Sequence, residues 1–263
     1  MADHEKWYLG SERLETVNEY RYLGTLFTTR LSVNNMQSDL VQRARGAMMQ
    51  VSKCLRKLNC VSPDVFFRLF DAQVQSVLLY GCELWGTSQC YVVELVHLQA
   101  IKSFLDLPRW VPNLMVYGDT GRYPLYITAS LRAIKYWLRV LKMDSFRYPR
   151  KAYNMMLAYE MNENWASKIK ETLYRYGFSE IWVKQEVRGQ GEFLKEIRKR
   201  MVREYNVLWA QTLYSSERYS FYRSFKTFRV REGYLYILDK KVFRYVKELS
   251  LIHISEPTRP RSI

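Results

Sequence analysis

The chain has 263 residues, 48% of them apolar and 25% charged, and a formal net charge of +15. This is the composition of a globular chain with one large or two modest cores, which excludes an intrinsically disordered tract. A positive charge of this size points to an anionic partner, nucleic acid ahead of an acidic membrane surface.

In chain order, residues 7–28 are expected to form a β-hairpin, with "WYL" followed by the turn signal "GSE". The stretch "EYRYLGTLFT" (19–28) reads as one alternating strand. Tyr20, Tyr22, Gly24 and Leu26 take one face; Arg21, Leu23, Thr25 and Phe27 take the other, with Leu23 turned to the helices that follow. "RLSVNN" reads as a loop. From Met36 to Leu58, Leu40, Val41, Ala44, Ala47, Met48, Val51, Leu55 and Leu58 recur at helical spacing, and Arg45, Lys53, Arg56 and Lys57 lie roughly opposite. Ser62, Pro63 and Asp64 are start signals for a second helix, apolar nearly all round, that ends near Gly81. A third helix covers 91–107 and stops at Pro108. The stretch "PRWVPNLMVYGDTGRYP" (108–124) reads as a loop and as the clearest internal boundary. Helices are expected again at 125–143, 149–160, 164–177, 192–213 and from 216 onward.

The last fifteen residues, 249–263, have neither helical nor strand periodicity. Leu249 through Arg259 ("LSLIHISEPTR") match, without a break, the in-frame translation of a transposase-type sequencing adapter. Residues 249–263 are therefore expected to be adapter read-through rather than protein, with the biological C-terminus cut away.

Chemistry-bearing clusters are sparse. The four cysteines show no C-x-x-C pair, so a zinc site is not indicated, and Cys54, Cys60 and Cys82 are expected to be buried free thiols. With no signal peptide and no long apolar run, the expected setting is intracellular and reducing, with no membrane partner. No D-x-D or E-x-x-H cluster occurs. Asp71, Glu83, Asp106 and Asp119 stand singly and read as solvated or capping residues, and His97 as a structural histidine. The lone "GQG" at 189–191 is too weak for a phosphate loop. No catalytic residue, metal ligand or cofactor is indicated.

What remains is a binding surface. Arg132, Lys135, Arg139 and Lys142 form one stripe at helical spacing, and no acid occurs between Leu125 and Met143. Ile127, Leu131, Ile134, Leu138 and Leu141 read as the opposite, apolar face. A second cluster, "KEIRKRMVR" (195–203), is diluted by Glu196 and Glu204 and reads as a solvated face. Most of the tyrosines are expected to fill cores or grooves, while a few are available to stack on bases.

Four blocks carry a family resemblance: "VNEYRYLGTLFTTRLS", "RARGAMMQVSKCLRKL", "LFDAQVQSVLLYGCELWG" and "NLMVYGDTGRYPLYI". In order and spacing they resemble the region downstream of the active site in reverse transcriptases of LINE-type (non-LTR) retrotransposons. The resemblance covers about residues 6–248 and is firmest over 17–127. It implies a mainly α fold: a palm-edge β-hairpin (1–35), a thumb-like helical bundle (36–110) and a second helical layer, the C-terminal helical region (111–248). Tyr22, Leu23 and Gly24 match the family's primer grip. The implied partners are an RNA template, a DNA primer and the missing upstream palm and fingers, in a nuclear or cytoplasmic ribonucleoprotein. Mg²⁺ would belong to the parent polymerase, whose aspartates precede this segment; none is carried over. The alternative is a free-standing helical RNA-binding or scaffold protein descended from such a fragment. Membrane-surface binding is disfavoured because the apolar helix faces are needed for the bundle.

Overall fold

The computed structural model describes residues 7–29, 32–58, 62–88, 90–158 and 164–236. Cys60, the end of the helix expected from 216 and the adapter-like stretch 249–263 lie outside the described residues.

Two short antiparallel hairpins come first. β1 (Tyr8–Leu9) pairs with β2 (Glu12–Arg13), and β3 (Glu19–Tyr22) pairs with β4 (Thr25–Thr28), with Tyr22 opposite Thr25. The stretch 19–28 is therefore a complete hairpin rather than one alternating strand, and Leu23-Gly24 is its two-residue turn. Both turn residues have positive φ, 46° and 81°, as a tight turn matched to strand twist demands. Leucine is a poor occupant of that region, so the turn carried no familiar signal. Leu23 does not face the helices: it is 73% exposed. Gly24 is needed for its φ; the Tyr80 ring, 3.6 Å from where a Cβ would sit, would be in ordinary contact with one.

α1 (Val33–Lys57) starts earlier than its apolar period suggests. Ser32 is extended, and its hydroxyl accepts from the Asn35 N–H at 3.4 Å, so "RLSVNN" contains a cap and a first turn. Leu40, Val41, Ala44, Val51 and Leu55 are buried, while Leu58, just past the end, is exposed. α2 (Pro63–Leu69) passes through a π-helical segment (Phe70–Gln75) into α3 (Ser76–Leu78). Phe66, Phe67, Phe70, Val74 and Leu78 line its buried side. α4 (Cys82–Trp85) and α5 (Tyr91–Phe104) follow.

The Pro/Gly-rich stretch 108–124, expected as a loop, holds a buried helix, α6 (Asn113–Thr120). Pro112 precedes it, left-handed Gly121 ends it, and Pro124 precedes α7 (Leu125–Leu141). These residues punctuate closely packed helices, as helix-end chemistry requires. α8 (Tyr148–Ala158), α9 (Trp165–Arg175), α10 (Ser179–Lys184), α11 (Gln190–Ser215) and α12 (Ser220–Phe225) complete a mainly helical fold behind the hairpins.

The first core gathers α1 to α6 and continues past residue 110 through Val111, Val116, Tyr117, Leu125 and Ala129. The second joins Ile127, Ile134, Trp137 and Leu138 of α7 to Tyr153, Ile169, Leu173, Ile197 and Met201. α7 belongs to both, so the expected division at 110/111 does not part the cores. Its junction with α4 is backbone-close: a Cβ on Gly86 would lie 2.4 Å from the Ala129 carbonyl oxygen. The Ser130 hydroxyl donates to the Gly86 carbonyl at 3.0 Å.

Two sequence expectations are corrected inside this frame. Asp119 is buried, not solvated. It accepts from Tyr222 at 2.6 Å and Tyr234 at 2.8 Å, which ties the C-terminal strap to α6. Burial pushes the Asp119 pKa up, against the pull of those two phenols. Cys54 is exposed because it sits at the margin of α1's buried arc. Cys82 and Cys90 are buried, and desolvation pushes both thiols up to about 12.

Candidate nucleic-acid interface

α7 is seated from its first residue. Pro124 offers no capping side chain, so Glu94 of α5 takes the role: its Oε2 accepts from the Leu125 N–H at 2.6 Å. A carboxylate at this end is favoured by the helix dipole. The same carboxylate accepts from Tyr117 and sits 2.8 Å from His97 Nδ1, so the buried His97 belongs to a structural knot.

The buried face of α7 is rotated from the expected one. Ile127, Ile134 and Leu138 are buried, but Leu131 and Leu141 are only half-buried; Ala129, Ser130, Ala133, Trp137 and Val140 complete the buried arc. Small residues on this side let α4 approach, a role that counting large apolar side chains undervalues. The rotation places the basic stripe squarely opposite the buried arc. Lys135, Arg139 and Lys142 are exposed and form no ion pair with any described residue. Arg132 differs: it is half-buried, and its Nη1 donates to the Leu79 carbonyl at 3.3 Å, bracing the end of α3. From Arg132 to Lys142 the stripe runs about 15 Å at helical rise.

At its Arg132 end the stripe meets the hairpin. A cleft of about 420 Å³ is lined by Tyr22, Leu23, Thr25 and Phe27 of the hairpin, Ser76, Leu79–Gly81 and Glu83, and Arg132. Tyr22 and Leu23 of the grip-like motif and the first residue of the stripe thus share one cleft across more than a hundred residues of chain. The turn is pinned from below. The Tyr80 hydroxyl donates to the Leu23 carbonyl, and Arg43 Nη2 donates to the Gly24 carbonyl at 2.8 Å. Asp39 in turn holds Arg43 at 3.0 Å and Arg21 at 2.6 Å. The Arg21 hydrogen bonds, helped by Arg43, hold the Asp39 carboxyl below the usual carboxylate range.

Arg45, Lys53, Arg56 and Lys57 are exposed on α1, and none of them lines this cleft. Arg43, Tyr80, Thr25 and Phe27 escaped the sequence reading; recognising Leu23-Gly24 as a two-residue turn would have pointed to the last two.

Among the described residues no three His, Cys, Asp or Glu side chains converge on a point, and no helix is long and apolar enough to cross a membrane. A scan against protein-family models found no match, nor did searches of curated proteins and of solved structures.

Proposed function

We propose that this chain grips a template–primer duplex through its sugar-phosphate backbone, as the thumb side of a LINE-type reverse transcriptase would, and performs no chemistry alone. The observation that carries this reading is the stripe of Lys135, Arg139 and Lys142, exposed and unpaired on a helix whose opposite face is anchored in both cores. A merely solvated helix mixes charges through i,i+4 pairs; α7 offers its cations no acid. The adjoining cleft adds exposed Tyr22 and Leu23 beside Arg132, and the four resembling blocks supply the family. A leucine held at positive φ with its side chain in solvent is the kind of local strain found at functional surfaces.

Phosphate contacts are read by salt. Replacing Lys135, Arg139 and Lys142 with Gln removes three contacts and is expected to flatten log affinity against log salt by roughly 2 to 2.7 on an RNA–DNA duplex. The control, Lys195, Arg198 and Lys199 to Gln, removes equal charge from α11 and is expected to change the slope by less than one contact, roughly 0.7 to 0.9. An equal fall in both variants would mean diffuse attraction and would sink the proposal. The same preparation is expected to extend no primer in Mg²⁺ or Mn²⁺.

A further inference from the structure

A second and larger cleft, about 910 Å³, opens between α6, α7, α9 and α11, on the side of α7 away from the stripe. We infer that it binds a single nucleotide, with the base among its tyrosines and the phosphate toward Arg175 and Lys168. The volume falls in the range of small-ligand sites. Its walls are aromatic: Tyr126 of α7, Tyr176 after α9, and Tyr205 and Trp209 of α11. Tyr126 and Tyr205, the half-buried pair, offer faces that stack on any base, while Tyr176 and Trp209 are core residues that back the wall.

The polar inventory of the cleft specifies the ligand further. The two nearby carboxylates are already engaged, Glu94 by Tyr117, His97 and the Leu125 N–H, and Glu204 by Arg175 at 2.9 Å and Tyr176 at 2.7 Å. Three hydroxyls are not. Thr87 Oγ1 is buried without a partner, and the phenols of Tyr126 and Tyr205 make no hydrogen bond among the described residues. Burial pushes both of those phenols up, so they stay neutral donors. Unpaired donors beside aromatic faces suit a flat, acceptor-rich heterocycle; the two phenols reach solvent, while Thr87 Oγ1 is dry, and leaving it unmatched is costly.

Cations stand at the mouth. Arg175, 60% exposed, uses Nε and Nη2 on Glu204, which leaves Nη1 for an anion. Lys168 reaches Ser88 on the rim at 3.2 Å. An aromatic slot with neutral donors and a cationic lip matches a nucleoside monophosphate, either free or as one unit of an unpaired strand.

The test uses the full chain, titrated calorimetrically with AMP, with adenosine and with a short unpaired oligoadenylate. Saturable AMP binding indicates the free nucleotide as the source. Saturation by the oligonucleotide alone indicates the strand, and either supports the site. Thr212→Trp, at an exposed position on the wall, is expected to block both while leaving the thermal melt unchanged. Arg175→Gln is expected to weaken AMP about tenfold and adenosine little, since only the charge-assisted phosphate contact is lost. No saturable binding of any of the three, or binding indifferent to Thr212→Trp, overturns the inference. The α7 variant (Lys135, Arg139 and Lys142 to Gln) is expected to leave AMP binding intact, so this site and the duplex grip can fail separately.

Discussion

α7 and α11 both carry dense positive charge, and while Arg198, Lys199 and Arg203 of α11 are exposed like the α7 stripe, Lys195 and Arg200 are used in the opposite way. On α11, Lys195 pairs with Glu192 at 3.2 Å and Arg200 with Glu196 at 3.1 Å. Arg200 also donates to the Tyr176 carbonyl at 2.7 Å and the Gly177 carbonyl at 3.3 Å, and its guanidinium lies 4.2 Å from the Phe178 ring centre. It caps the C-terminal end of α9, where carbonyls lack helical partners and a cation is favoured. On α7 Arg132 is so engaged, while Lys135, Arg139 and Lys142 are exposed and form no ion pair among the described residues. Net charge therefore says little about available charge; the placement of acids and of free helix ends decides it.

The largest effect should come from unseating α7. Trp137 is fully buried, and its Nε1 donates to the Tyr153 hydroxyl at 3.0 Å, which itself donates to Gln185 at 2.5 Å. Trp137→Ala leaves a large cavity beside an interrupted hydrogen-bond chain, and is expected to cost about 3–5 kcal/mol of stability. Denaturant unfolding measures it. A loss under about 1.5 kcal/mol would mean that α7 is not anchored through this face.

Arg200→Gln sharpens the contrast at smaller scale. It removes a charged donor from two helix-end carbonyls and a cation from Phe178, and about 1–2 kcal/mol should be lost. The ion pair with Glu196 adds little at that exposure. Its salt slope on a duplex should stay unchanged. Arg139→Gln should do the reverse, with stability within about 0.5 kcal/mol and a shallower slope. If Arg200→Gln moved the slope and spared the melt, the two helices would have been assigned the wrong way round.

How much of this was legible in the sequence follows from range. The long periodic helices, α1, α7 and α11, could be read because many residues vote on one period. α4, α6 and α10 span four, eight and six residues, too few for a period to emerge, and α6 sits among prolines and glycines that read as loop. The stripe was visible, yet Arg132's bond to a carbonyl 53 residues earlier was not, because it exists only once α3 and α7 meet. The cleft beneath the hairpin is invisible for the same reason. Asp119 looked solitary because its partners, Tyr222 and Tyr234, lie over a hundred residues away.

The smallest expected effect lies at the hairpin tip, where Arg21 and Arg43 are cations of the engaged kind. Arg43 and Tyr80 hold the turn from the carbonyl side, Arg21 pairs with Asp39 beside Arg43, and the Leu23 side chain is left free. Were Leu23 turned to the helices, as an alternating strand implies, Leu23→Asp would be a disruptive buried charge. The turn makes it mild: the side chain is 73% exposed, and Asp tolerates left-handed φ better than Leu, so the change should stay within about 0.5 kcal/mol. Leu23→Gly removes the penalty of a side chain at positive φ, about 1–2 kcal/mol, but loosens the unfolded chain by about 0.5–1 kcal/mol. A net gain of about 0.5–1 kcal/mol is expected, read as a rise in the unfolding midpoint. Both variants keep the Leu23 and Gly24 carbonyls on Tyr80 and Arg43, so the cleft should keep its shape. If Leu23→Asp instead cost more than about 2 kcal/mol, the tip would have to be covered by protein, and the cleft it shares with Arg132 would be closed to a duplex.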